Sequence, residues 1–269
     1  MKLWSLGSGS KGNAMLVECD GARLLIDCGF GTRTIAGRLK TIGVAPESID
    51  ACLVTHEHSD HVKGVGAAAK RWGWQIFATP GTARAPQLVE TKVKKFLPGA
   101  VLEFPRMVVS TTPTPHDANQ SVGFVVESRS TGARAGLFYD IGHASAAIAE
   151  ACTALDILVL ESNHDVDMLR TGPYPRWLQA RIACDTGHLS NADSGVFARR
   201  AVTKSVNHLV LAHLSENCNT PGVALSAMRA ALAGSRFRGS LTAARQDAVA
   251  GPFIPSGPRA EAPMQYELL

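Results

Sequence analysis

The sequence predicts an α/β layered fold in a single domain, and three observations predict it. Short runs rich in Val, Ile and Leu with abrupt polar ends recur at Leu24 to Asp27, Cys52 to Thr55, Ile157 to Leu160 and Leu209 to Ala212, as buried strands do. Helical periodicity lies among them, with Ile35, Leu39 and Ile42 at i, i+4 and i+7, and again over Val223 to Leu232. The 269 residues are 45% apolar and 19% charged, far too much core material for a disordered chain, and no internal repeat suggests a solenoid or propeller. Strands that precede and separate helices imply helices layered on sheets.

Taken from the start, Gly7-Ser-Gly-Ser-Lys-Gly12 matches the dinucleotide pattern G-x-G-x-x-G. That motif needs a helix next, whose N-terminus holds the pyrophosphate, yet Met15-Leu-Val-Glu-Cys-Asp-Gly reads as strand then turn. The glycines therefore predict a hairpin loop, from which Ser8, Ser10 and Asn13 offer hydrogen bonds to a substrate phosphate. Val62 to Trp72 reads as a helix, and Val108 to Pro113 and Ser121 to Ser128 as half-buried strands. At the end, Pro252, Pro255, Pro258 and Pro263 predict no regular element. The division is thus a domain over 1–250 and a loosely held, Pro-rich tail over 251–269.

A formal charge of +4 is too small for a polybasic binder, though it tolerates an anionic substrate. The six cysteines, at 19, 28, 52, 152, 184 and 218, form no C-x-x-C pair and suit free thiols in a reducing cytoplasm. Gly7 interrupts the start before a signal-peptide core develops, and no apolar run approaches membrane-spanning length. A cytoplasmic protein without a membrane partner is expected; oligomeric state is left open.

The chemistry concentrates in Thr55-His-Glu-His-Ser-Asp-His-Val. Positions 56 to 61 hold three of the chain's nine histidines and an aspartate. His56 and His58, two apart on extended backbone, project to one side and suit one cation, while Asp60 and His61 turn toward a neighbouring one. Imidazoles crowded in this way without a cation would bury unpaired polar groups or stack like charges. His143 and His208 stand alone and read as ordinary packed or surface residues.

H-x-H-x-D-H resembles the signature of the metallo-β-lactamase superfamily, and the resemblance implies an αββα four-layer sandwich. It extends to four further positions in chain order. Asp27, in Leu24-Leu-Ile-Asp-Cys-Gly, would hold the ligand loop in place. His116 in Thr114-Pro-His-Asp, Asp140 in Leu137-Phe-Tyr-Asp and His213 in Val210-Leu-Ala-His-Leu-Ser would complete the set. By resemblance His56, His58 and His116 hold one metal, Asp60, His61 and His213 a second, and Asp140 bridges them. Two divalent cations, Zn²⁺ or Mn²⁺, suit an all nitrogen and oxygen set. At about 3.5 to 4 Å apart they acidify water and polarise a phosphoryl or carbonyl oxygen, which makes a hydrolase without choosing its substrate.

The periphery chooses. Glu161 in Leu160-Glu-Ser-Asn-His-Asp and His188 in Gly187-His-Leu-Ser-Asn match, by order and context, a pair in ribonuclease Z and related nucleases. There a glutamate orients a histidine that assists the leaving alkoxide, which makes Asp60, Glu161 and His188 the catalytic candidates. The plainer reading of the pair is a surface carboxylate and a helix-capping segment at Ser190 and Asn191. Asn163 and His164 are weighed as substrate contacts against packed polar residues.

Only 24 positions separate His116 from Asp140 and 73 separate Asp140 from His213. Neither the large insert of ribonuclease J nor the projecting tRNA-binding arm of ribonuclease Z finds room. The wording of Leu6-Gly-Ser-Gly-Ser-Lys-Gly-Asn, Leu160-Glu-Ser-Asn-His-Asp, Gly172-Pro-Tyr-Pro and Gly187-His-Leu-Ser-Asn resembles the compact YycJ (WalJ) subfamily, implicated as 5′ to 3′ DNA exonucleases. The resemblance implies a nucleic-acid substrate, DNA before RNA. Lys11, Lys63, Arg170, Arg176 and Arg181 are then candidate phosphate contacts, although each alone reads as a solvated charge. Trp72 and Trp74 read as core packing before base stacking. The competing function is a hydrolase of small esters, thioesters or lactones on the same centre.

Overall fold

A computed structural model describes residues 1–202 and 205–257. The first sheet is built from β1 (Lys2–Gly7), β2 (Ala14–Cys19), β3 (Ala22–Ile26), β4 (Ala51–Leu53), β5 (Gln75–Ala78) and β6 (Val93–Lys95). The second holds β7 (Val101–Glu103), β8 (Met107–Pro113), β9 (Val122–Ser128), β10 (Arg134–Phe138), β11 (Ile157–Glu161), β12 (His208–Ala212) and β13 (Ser240–Ala243). A last strand, β14 (Ala250–Phe253), returns to the first sheet, whose order is β14-β1-β2-β3-β4-β5-β6; the second runs β13-β12-β11-β10-β9-β8-β7. Each sheet is antiparallel on one side and parallel on the other, from β3 to β6 and from β10 to β13.

The helices are α1 (Thr32–Thr41), α2 (Ser59–Val62), α3 (Val65–Trp72), α4 (Ala146–Ala151), α5 (Val166–Thr171), α6 (Arg176–Ile182), α7 (Asn191–Ala201) and α8 (Pro221–Leu232). Strand alternation divides the apolar side chains among three buried layers. Leu24, Ile26 and Leu53 of the first sheet meet Phe124, Leu137 and Val210 of the second between the sheets. Leu25 and Cys52 point the other way, onto Ile35 and Leu39 of α1 and Val65 and Ala68 of α3. On the far side, Leu158, Leu160 and Leu209 pack against Ile148 of α4, Phe197 of α7 and Met228 of α8. Helix, sheet, sheet and helix make the αββα sandwich in one domain. The parallel strands read as unbroken apolar runs because both their faces are covered.

Two expectations are corrected. Val62 to Trp72 is not one helix: α2 ends before Gly64, and α3 begins after it. The Gly64 N–H bonds the Cys28 carbonyl at 2.8 Å, and a Cβ there would collide with the Phe30 carbonyl. The tail does contain a regular element, since residues 250–253 pair with β1 through Leu3 and Phe253, so the expected division at 250 falls inside a strand. Pro252 is tolerated because β14 is an edge strand, where a missing N–H costs no ladder bond. Pro258 and Pro263 lie outside the described residues.

All six cysteines are free thiols, five of them buried. Among the described residues, no helix is long and apolar enough to cross a membrane. Trp74 is buried and its indole donates to the Pro46 carbonyl at 2.7 Å, in keeping with a packing role.

Candidate metal centre and catalytic site

Every candidate ligand lies beyond the C-terminal end of a strand at one edge of the sandwich, the edge where open α/β sheets bind ligands. The loop after β4 carries His56 and His58, and α2 carries Asp60 and His61. His116 follows β8, Asp140 follows β10, and His213 follows β12. Three of these strand ends turn out of the sheet through left-handed backbone, with φ of 61° at Asp27, 55° at Asp140 and 54° at His213. Such a conformation costs a non-glycine residue about 1 to 3 kcal/mol and persists where the surroundings over-determine it.

The structure brings the seven together. Ligand atoms of His56, His58 and His116 lie within 4.8 Å of one another, as do those of Asp60, His61 and His213, and those of His56, His61 and Asp140. The imidazoles are aimed by what their second nitrogens bond. His61 Nδ1 meets Asp27 Oδ2 at 2.8 Å, His56 Nδ1 meets the Thr55 hydroxyl at 3.0 Å and His116 Nδ1 donates to the Gly187 carbonyl at 3.1 Å. Each arrangement leaves Nε2 facing the cage, as a ligating imidazole requires. His58 Nδ1 lies 3.2 Å from His116 Nε2.

A cation fits this cage. His56 Nε2 is buried without a hydrogen-bond partner among the described residues, a costly state that a bound metal would relieve, and Asp140 Oδ2 is buried with only the His61 Nε2 at 3.0 Å beside it. Titration behaviour agrees. Burial, reinforced by the neighbouring His61, pushes the His56 imidazole well below its usual range. Burial alone would lower His61 as well, but Asp60, Asp140 and Asp27 outweigh it and hold that ring well above the ordinary value. His213 is likewise raised to about 10, against its burial, by Asp140, Asp60 and Glu161. For Asp60, burial works upward and is overcome by His61 and His213, which keep the carboxyl well below the carboxylate range. The cage is a nest of carboxylates that draws positive charge inward.

Asp27 is the anchor. Fully buried, it accepts from Thr55 N–H at 2.8 Å, the Thr55 hydroxyl at 2.9 Å and the Tyr139 hydroxyl at 2.9 Å, in addition to His61. Hydrogen bonds to a charged group contribute about 1.5 to 3 kcal/mol each, so this network decides where His61 stands. Thr55 and Tyr139 stand inside the quoted motifs but escape sequence reading as anchors, because their bonds to Asp27 span 28 and 112 positions.

Glu161 and His188 are a pair in space. Glu161 Oε1 bonds His188 Nδ1 at 2.8 Å and His213 Nδ1 at 3.1 Å, while Oε2 accepts Ile141 N–H at 2.8 Å and Leu189 N–H at 3.2 Å. Burial favours the neutral acid, but the His188 charge and hydrogen bond prevail and keep Glu161 ionised. His188 Nδ1 is also 3.4 Å from Asp140 Oδ1, against the cage. Of the plainer reading only the cap is met, since Ser190 accepts Asp193 N–H at 3.1 Å at the start of α7, whereas Glu161 is fully buried and not a surface carboxylate.

The residues expected to contact substrate differ in exposure. Ser8 and Asn13 are buried: the Ser8 hydroxyl donates to Asn13 Oδ1 at 2.9 Å and accepts His213 N–H at 2.8 Å. Asn13 Nδ2 lies 3.3 Å from Asp60 Oδ2, and Asn163 Nδ2 donates to the His213 carbonyl at 2.8 Å. Ser8 and Asn13 brace ligands because the hairpin loop packs against the cage, and Asn163 does so from just beyond the end of β11; Ser10 alone of that loop's trio is exposed. His164 is buried beside the cage, outside the ligand groups. Arg181 is engaged by Asp117 at 2.7 Å, Lys11 by Glu216 at 2.6 Å and Arg170 by Asp167 at 3.1 Å, whereas Lys63 and Arg176 are exposed. Asp117 was not singled out, yet its Oδ1 lies 3.4 Å from His116 Nε2 and 3.8 Å from His58 Nε2. Its place directly after His116 was the available signal.

Comparison with known proteins agrees with this geometry. Residues 7–136 match the family described as the metallo-beta-lactamase superfamily. The chain is 32% identical over 219 residues to exodeoxyribonuclease YycJ of Bacillus anthracis, covering 80% of this chain and 82% of that one. It is 34% identical over 223 residues to exodeoxyribonuclease WalJ of Streptococcus pneumoniae, covering 80% and 81%. Among solved structures, the metallo-beta-lactamase fold protein YhfI of Bacillus subtilis superposes with a TM-score of 0.71 at 17% identity, over 93% of this chain and 99% of that one, a likeness of fold.

Proposed function

The chain belongs to the metallo-β-lactamase superfamily, and from that premise we propose that it is a metal-dependent nuclease hydrolysing phosphodiesters of DNA, an exodeoxyribonuclease working from the 5′ end. The observation that carries the reading is the Glu161–His188 pair, 2.8 Å apart and set against Asp140. A departing alkoxide needs a proton, and His188, held by Glu161 against the cage, is a histidine placed to supply one.

When bound, two divalent cations, Zn²⁺ or Mn²⁺, would supply an acidified water and charge stabilisation at the phosphoryl oxygens. His56, His58 and His116 would hold one, and Asp60, His61 and His213 the other, with Asp140 shared. Asp27 keeps His61 in the tautomer that presents Nε2. Glu161 orients His188 through Nδ1, so that Nε2 is the atom that carries the proton toward the leaving oxygen. The names of the YycJ and WalJ relatives support DNA as the substrate.

The test is digestion of end-labelled DNA, single-stranded and duplex, by purified protein supplied with Mn²⁺ or Zn²⁺. Mononucleotides should be released from a 5′-phosphorylated end, and chelation should stop the release. Intact DNA under both metals, with rapid turnover of a thioester or lactone, would replace this reading with that of a small-molecule hydrolase.

A further inference from the structure

His188 is a wall between two spaces. One is the cage; on its other side lies a cavity of about 470 Å³. That volume falls within the range of about 300 to 1,000 Å³ that encloses a drug-sized ligand. Leu169 of α5, Leu189 just before α7 and Phe197 within α7 give it apolar sides. Val166 and Val196, at its rim, are 54% and 55% exposed, an uncommon setting for large aliphatic side chains that suits a partner arriving from solvent.

The polar lining is selective. Nδ1 of the buried His164 has no hydrogen-bond partner among the described residues. Two carboxylates, Asp185 and Asp193, against one guanidinium, Arg200, leave the cavity without the positive surplus that would hold a phosphate. Flat apolar walls with scattered donors and acceptors match the face and edges of a nucleobase instead. A phosphodiester held at the cage places the base of the adjoining nucleotide within reach of the space behind His188.

We infer that this cavity is the binding site for the terminal nucleobase of the strand being digested, an inference that rests on the nuclease reading above. His188 thereby sees both the scissile group on one side and the base on the other. The cavity selects for a base as such.

The experiment is a binding titration of the full, metal-supplied chain with deoxyadenosine 5′-monophosphate, deoxyribose 5-phosphate and inorganic phosphate. The nucleotide should bind about tenfold or more tightly than deoxyribose 5-phosphate, the effect of settling a base against an aromatic wall. Val196→Trp and Val166→Trp, which fill the cavity from opposite rims, should each erase that preference while metal content and circular dichroism stay unchanged. Equal binding of the nucleotide and the base-free phosphate in the unmodified chain overturns the assignment, and so does a preference that survives both substitutions. Should both variants fail to fold, photo-crosslinking with 8-azido-deoxyadenosine monophosphate decides, since labelling of α5 or α7 supports the site and labelling elsewhere removes it. DNA digestion without a base preference defeats this inference alone. A base preference without DNA digestion defeats the nuclease reading and leaves a nucleoside site.

Discussion

The two sheets deliver their ligands in opposite ways. The first sheet supplies four candidate ligands within six consecutive residues, on one loop and one short helix held from below by Asp27. The second supplies three from three separate strand ends, two of them through left-handed backbone. The first arrangement is a local motif tied down by hydrogen bonds; the second depends on strand register across the sheet. Asp140 is where they meet, since its Oδ2 lies 3.0 Å from His61 Nε2 and its Oδ1 3.2 Å from His213 Nδ1.

Substitutions can break that meeting point at graded cost. Asp140→Ala removes the group shared by both sources, so bound metal and nuclease activity should both disappear, as elemental analysis and DNA digestion would show. His188→Ala should lower kcat by about 10² to 10⁴ yet leave metal content intact. Equal metal loss in the two variants would place His188 inside the cage and remove its separate role.

Acidity probes the cage as a whole. His61 and His213 carry protons at pH 7 in the metal-free chain, because their pKa values are raised, the latter to about 10. A cation must expel both, so metal affinity should rise with pH through neutrality, the part due to His213 levelling off as pH passes about 10. His56, with its pKa lowered, is already neutral and adds nothing to this slope. Calorimetry in buffers of different ionisation enthalpy should count about two protons released on loading.

The first sheet's anchor offers a smaller lever. Asp27→Asn should weaken metal binding about 10- to 100-fold through loss of the carboxylate behind His61. Tyr139→Phe removes one of the bonds to Asp27 and should cost about 1.5 to 3 kcal/mol, seen as a fall in Tm with activity nearly kept.

This contrast also explains what was legible beforehand. Residues 56 to 61 announce themselves because unusual chemistry is packed into one stretch, and each distant ligand could be found because it ends an apolar strand. The fold class follows from the same runs. What escaped reading depends on contacts between residues far apart in the chain. Nothing local tells that Asn13 sits beneath Asp60, that Tyr139 reaches Asp27, or that Arg181 clamps Asp117. Gly64 inside an apparently continuous helical pattern hides a break, because the carbonyls of Cys28 and Phe30 crowd it. The prolines near the end masked a strand whose partner is the first segment of the chain.

That last pairing has a consequence for handling the protein. Phe253 lies opposite Leu3, and His208 Nε2 donates to the Ile254 carbonyl at 2.8 Å, so the final stretch clasps both sheets. Cutting the chain at 249 would strip the cover from β1 and leave its open backbone groups, beside Leu3 and Trp4, free to recruit the same edge of another molecule. Shortened versions made for crystallisation should therefore self-associate, and a fusion that keeps residues through 257 should stay dispersed.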